Sequence, residues 1–268
     1  MLQDRYWLGD GPAELEHLTA QAEVYGREAD ELLDLIGVGD GAHAIDLGCG
    51  VLGILPQLCR RVGAGGRVVG LDLEPRLLAA ASGLAAARGL IVDTVQADAT
   101  ATGLPPASFD LVHARTLLLN LTDPEAAVAE MARLARPGGI VALQEPDTAG
   151  WVCDPPHPAF DRLRAELVAM YPRMGKDFDI GRRTARLLRD AGLRDVQARA
   201  TARVTRPGDY YQTFLLTLCA LLREPLLAGG GLTPGELDRD VAELREHLSD
   251  AGTLTCQPLL WQAWGVKS

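Results

Sequence analysis

The sequence predicts an α/β protein: a seven-stranded sheet assembled from βαβ units, with helical segments added around it. Three observations predict this. Short β-rich runs alternate with helical stretches through the first half, the pattern of parallel βαβ units. Apolar residues make up 47% of the 268 residues and charged residues 23%, an ordinary globular composition. Glycines cluster at the first strand-to-helix junction, where the backbone can approach a ligand closely.

The elements follow in order. Residues 44–47 are a short apolar run ending in glycines, the first strand, and 51–62 read as a helix. Residues 67–71 form the second strand. Pro75 suits the first turn of a helix over 76–88. Residues 91–96 and 109–113 are the third and fourth strands. Asp123, Pro124 and Glu125 supply an N-cap, a first-turn proline and a first-turn acid for a helix to about residue 135. R-P-G-G at 136–139 stops it, and 140–143 is the fifth strand. The pattern changes after Glu145. Residues 151–158 read as a loop, 158–170 and 181–191 as helices, 193–204 as the sixth strand and 207–227 as one long apolar helix. T-P-G-E at 233–236 is a capping box opening a helix to about 248, and 254–264 is the seventh strand. The chain then divides into an N-terminal helical cap (1–35), a core (36–147), a cap insertion (148–178), a core helix and strand (179–204), a helical lid (205–250) and a final core strand (251–268).

The formal charge of −10 argues against a nucleic-acid binder, which would present a basic face. The most apolar stretch, 210–222, falls short of the ~20 residues a membrane span needs and carries Gln212 and Thr213. It is read as core or as a dimer surface, which leaves a homodimer open, or as a lid over a bound acceptor. The first fifteen residues lack a basic start followed by an apolar run, so no secretory signal is expected. Five scattered cysteines without a C-x-x-C pair suggest a reduced, cytoplasmic protein with no metal site.

The informative segment is D-L-G-C-G-V-L-G, residues 46–53. Read literally, Gly48, Gly50 and Gly53 satisfy G-x-G-x-x-G, with Asp72 about twenty residues on, the fingerprint of a dinucleotide site and of an NAD-dependent oxidoreductase. Three features point elsewhere. Asp46 sits two residues before the first glycine, where a dinucleotide strand runs apolar. Asp98 ends the third strand in Q-A-D-A. R-P-G-G precedes the fifth strand.

With those pieces in place, the sequence resembles the class I S-adenosylmethionine (SAM) methyltransferases, and more narrowly the small-molecule group similar to the ubiquinone/menaquinone-biosynthesis enzymes. The matching stretches are A-I-D-L-G-C-G, V-V-G-L-D-L-E-P, V-Q-A-D-A-T, L-P-P-A-S-F-D-L-V-H-A-R and L-A-R-P-G-G-I-V-A-L-Q-E, within residues 40–147. The opening Y-W-L-G and the E-L-E-H-L that follows resemble the N-terminal cap of related enzymes more loosely. The resemblance implies a Rossmann-like seven-stranded methyltransferase sheet with helical cap insertions and SAM as cofactor. Gly48, Cys49 and Gly50 would line its methionine part. Asp72, with Leu73 beside it, would take the ribose hydroxyls. Asp98 and the Ala99 backbone would take the adenine. Asp46 would orient the loop and the ammonium, and Gln21 and Arg115 would reach the carboxylate. One departure stands out: the family has a third glycine where this chain has Leu52, with Gly53 one residue later.

Blander readings stand beside these. Asp72 also reads as a strand-end turn residue, Asp98 as a helix N-cap, Arg115 as half of a surface ion pair, Gln21 as a solvated helix residue and Cys49 as a small packing residue. His113, ending the fourth strand, is a candidate general base or a packed core histidine. His157 is a candidate acceptor-pocket base or a plain loop residue, and Tyr171 and Asp177 share that choice. No N-P-P-Y-type element follows the fourth strand, so a small organic acceptor is expected rather than nucleic acid. The reading is O-methylation in secondary-metabolite, including antibiotic, biosynthesis. The alternatives are a SAM-binding cyclase or pericyclase without methyl transfer and, further off, an NAD-dependent oxidoreductase.

Overall fold

The sheet of seven strands runs in the order β3-β2-β1-β4-β5-β10-β7 in a computed structural model that describes residues 11–268. The Y-W-L-G resemblance at 6–9 lies outside the described residues. In chain order, α1 (Pro12–Val24) and α2 (Gly26–Ile36) precede β1 (His43–Leu47), α3 (Leu55–Val62), β2 (Arg67–Asp72), α4 (Pro75–Ala87), β3 (Asp93–Gln96), β4 (Phe109–Arg115), α5 (Pro124–Leu134) and β5 (Ala135–Asp147). Then come β6 (Val152–Asp154), α6 (Pro158–Arg173), α7 (Thr184–Asp190), β7 (Arg194–Thr201), β8 (Val204–Thr205), α8 (Phe214–Leu221), α9 (Arg223–Ala228), α10 (Pro234–Ser249), β9 (Leu254–Cys256) and β10 (Leu259–Val266). The first five strands pair in parallel, and β10 is antiparallel to both neighbours. The central strands bury most of their apolar side chains because helices cover both faces. Ile45, Leu47, Val112 and Leu143 are wholly buried.

The chain leaves β1 in one direction across the sheet and returns to β4 on its other side. At such a reversal the helices diverge and leave a crevice beyond the carboxyl ends of the strands. This one opens between the β1–α3 loop and the segment after β4.

Several predicted elements are broken where the chemistry of one residue forbids continuity. The seventh strand splits into β9 and β10 at Gln257-Pro258. Pro258 has no N–H for a ladder, and the buried Gln257 amide instead binds the Tyr211 carbonyl at 2.8 Å and Thr205 Oγ1 at 2.9 Å. β9 thereby leaves the main sheet and pairs with β6 and β8 in a second sheet of three strands. The sixth strand divides in the same way, into β7 and β8, and the loop expected at 151–158 holds β6. The long helix over 207–227 is a 3-10 turn at Tyr210–Thr213 followed by α8 and α9. Pro225 cannot donate to the carbonyl four residues back, so α8 stops at Leu221. The capping box forms as read: Thr233 N donates to Glu236 Oε2 at 2.9 Å and Glu236 N to Thr233 Oγ1 at 3.3 Å. Among the described residues no helix is long and apolar enough to cross a membrane.

Candidate functional site

Asp46 organises the crevice. It lies on a central strand with its carboxyl 1% exposed, so each oxygen needs a partner. Oδ1 meets His113 Nδ1 at 2.7 Å, from the residue beside it in β4, and the same ring reaches Gln144 Oε1 at 3.1 Å. Oδ2 accepts from the Ile54 backbone N–H at 3.2 Å. The helix expected from residue 51 therefore starts only at Leu55, because residues 51–54 turn around this carboxylate. Gly53 is what lets them: its φ is +48°, and a Cβ there would stand 2.1 Å from Asp46 Oδ2. Leu52 does not line the cavity; it is buried in the core. The later glycine thus accounts for the departure at 52 without narrowing the loop.

The cavity wall contains Gln21, Asp46, Gly48, Cys49, Gly50, Asp72, Leu73, Asp98, Ala99 and Arg115 together. Asp72 ends β2, with Oδ2 accepting from Gly50 N at 2.9 Å and Oδ1 from Glu74 N at 3.0 Å. Burial pushes its carboxyl upward and those N–H groups pull it back. Each oxygen keeps a second lone pair for a ligand hydroxyl. Asp98 Oδ1 accepts from the backbone N–H and the hydroxyl of Thr100. Arg115 is buried, donating to the Gly53 carbonyl at 2.9 Å and lying over the Tyr25 ring at 5.7 Å. Desolvation lowers its pKa. Gln21 Oε1 stands 3.4 Å from the Thr116 hydroxyl, across the mouth of the loop.

Two candidate bases are not where a base would have to be. His113 is fully buried between Asp46 and Gln144 and does not reach the cavity. His157 caps α6, its Nδ1 accepting from Ala159 N at 3.2 Å, with its ring 4.6 Å from that of His247, away from the cavity. Asp177 also stays outside, paired with Arg183 at 3.0 Å. Tyr171 does line the cavity, and burial raises its phenol pKa strongly. In the apolar stripe, Phe214 and Leu218 face the cavity while Tyr211, Leu215 and Leu222 pack into the core.

Sequence reasoning missed His17 and Glu145. His17 lines the cavity one helical turn before Gln21, so the i,i+4 spacing on α1 was a usable signal. Glu145 lies near the end of β5, fully buried, and accepts the N–H groups of Leu117 at 2.9 Å and Leu118 at 2.8 Å, fixing the segment that walls the cavity after β4. Burial pushes its carboxyl up to about 8 against those donors. The folded chain therefore holds this proton at neutral pH while an unfolded chain releases it. Stability from this group is full below the ordinary carboxyl range and is lost as pH rises through about 8. Denaturant unfolding across that window should show wild type losing up to about 1.4 kcal/mol per pH unit relative to Glu145→Gln. Parallel curves would mean that the group is ionised in the fold. Glu145→Ala should be the more damaging change, because it orphans buried N–H groups at about 1–3 kcal/mol each.

This donor set fits SAM better than a dinucleotide. A pyrophosphate would need the free N–H groups at the start of α3, but the Asp46 carboxylate already takes the Ile54 N–H there. SAM has no pyrophosphate. It asks for a carboxylate for the ribose, an acceptor for the adenine amine, and a narrow loop for the methionine, and Asp72, Asp98 and the loop at 48–50 offer these. Fold and site together define a SAM-binding α/β domain of the methyltransferase class.

The comparisons agree. Residues 45–143 match the family described as "Methyltransferase domain". A ubiquinone biosynthesis O-methyltransferase of Xanthomonas euvesicatoria is 32% identical over 197 residues, covering 72% of this chain and 77% of that protein. The chain belongs to the SAM-dependent methyltransferase family. The nocamycin O-methyltransferase of Saccharothrix syringae is 37% identical over 125 residues, 46% of this chain and 45% of that protein. The chain thus spans just under half the length of several curated relatives it matches. Among solved structures, the 4+2 cyclase SpnF is similar across all of this chain and 89% of its own, with a TM-score of 0.54 at 19% identity, a likeness of fold alone.

Proposed function

We propose that the protein transfers a methyl group from SAM to a hydroxyl oxygen of a small organic acceptor, in secondary-metabolite and, by analogy with the nocamycin relative, antibiotic biosynthesis. One observation carries the reading: a single cavity is lined both by Asp72, Asp98 and the glycine loop and by the aromatic residues Tyr171, Phe178 and Phe214. Cofactor donors and an aromatic acceptor wall thus share one space. SAM supplies an activated methyl when bound, so the protein's own work is positioning and exclusion of water. Asp72 would fix the ribose, Asp98 and the Ala99 backbone the adenine, and Arg115 and Gln21 the carboxylate. Asp46, held by His113, would set the loop that carries the methionine part. A cytoplasmic location goes with this reading.

The test has two stages. Calorimetry should show S-adenosylhomocysteine binding while NAD does not bind. Incubation with SAM and hydroxylated aromatic acceptors, followed by mass spectrometry, should show products heavier by one methyl group. Cofactor binding with a converted substrate of unchanged mass would replace methyl transfer by the cyclase alternative.

A further inference from the structure

Tyr171, Phe178 and Phe214 line the cavity as an aromatic wall, and the buried Trp151 ties them together from behind. Tyr171 meets Phe178 edge-on at 4.9 Å, Phe178 stacks on Trp151 at 5.9 Å, and Trp151 lies 5.8 Å from Phe214. The run ends in His17, stacked on Phe214 at 5.9 Å with 14° between the planes. His17 is the one histidine among the described residues lining the cavity. It is 2% exposed, and its Nδ1 has no hydrogen-bond partner among the described residues. A buried polar atom without a partner is costly and rare in a folded protein, and here it belongs to a cavity-lining side chain.

We propose that His17 is the catalytic base, receiving the proton of the acceptor's hydroxyl group, and that the acceptor is a planar conjugated hydroxy compound, a phenol or enol, laid against this aromatic wall. The proposal rests on the methyl-transfer reading above. The acceptor oxygen forms its bond to the methyl carbon while the carbon–sulfur bond breaks, its electron pair passing to sulfur. The hydroxyl proton goes to the imidazole, which later returns it to water. Burial holds the imidazole pKa down at about 4, so the ring is neutral and ready to accept. Such a weak base suits a hydroxyl, whose proton becomes strongly acidic only as the new oxygen–carbon bond forms. An unactivated carbon would need a stronger base.

The probe is 2-naphthol, a planar conjugated hydroxy compound that keeps its hydroxyl proton at neutral pH. His17→Phe keeps the stacking on Phe214 and removes both nitrogens; His17→Gln keeps a hydrogen-bonding group that cannot take the proton. Calorimetry with S-adenosylhomocysteine should give variant affinities within about twofold of wild type. Wild type loaded with S-adenosylhomocysteine should bind 2-naphthol, and with SAM should form 2-methoxynaphthalene. Both variants should lose that turnover by roughly 10²–10⁴, with His17→Gln retaining more of the 2-naphthol affinity. Wild-type turnover in either variant overturns the base assignment. A loaded wild-type protein that neither binds nor methylates 2-naphthol overturns the acceptor class. Failure of wild type to bind S-adenosylhomocysteine strikes instead at the methyltransferase reading itself.

Discussion

Asp72→Ala is expected to lower SAM and S-adenosylhomocysteine affinity at least about tenfold, from the loss of two charge-assisted hydrogen bonds worth roughly 1.5–3 kcal/mol each. The carboxylate has two tasks. It lines the cavity proposed to hold the ribose, and it holds Gly50 N and Glu74 N, the loop on one side and the approach to α4 on the other. Removing it should therefore loosen the glycine loop as well as delete the proposed ribose contact. Asp72→Asn separates the two effects, since the amide keeps one accepting oxygen and a similar shape but no charge. Calorimetry should rank wild type above Asn and Asn above Ala. A folded Ala variant with wild-type affinity would remove the main support for the cofactor site.

His113→Ala is expected to cost the fold about 2–5 kcal/mol, from the cavity it leaves and the hydrogen bonds it breaks. Asp46 Oδ1 would lose its partner inside the sheet, where the residue is only 1% exposed. The loss would pass to the loop, because the other oxygen of the same carboxylate holds Ile54 N. Cofactor affinity should weaken along with stability, and turnover at saturating SAM in the remaining folded protein should stay close to wild type. Denaturant melts and steady-state kinetics on the same samples check this. A stable His113→Ala protein with turnover reduced by orders of magnitude would restore His113 as the base and displace His17.

The division of labour between these residues explains what was legible in the sequence. Residues fixed to the ends of parallel strands, such as Asp46, Asp72 and Asp98, were readable because strand spacing and the glycine loop place them whatever the rest of the chain does. His113 was readable as a position, with its role left open between a general base and a packed core histidine. A strand-end histidine faces either the ligand or the neighbouring strand, and only the register Asp46–His113 shows that it faces the strand. His157 was left open for a related reason: a histidine before a helix proline can serve as an N-cap, and this one does. His17 was readable only as a neighbour of Gln21 on α1; the role proposed for it depends on its stacking against Phe214, almost two hundred residues away.

The sequence alone determined the α/β class and the methyltransferase family, and it named the strand-end acids proposed to hold the cofactor, because each depends on local patterns: alternating strand and helix, glycines at one junction, acids at strand ends. Only the tertiary structure decided where strands break into a second sheet, which histidine meets the cavity and how Asp46 holds the loop. Those outcomes depend on contacts between residues distant in the chain, where burial forces each polar atom to find a partner that sequence spacing does not name.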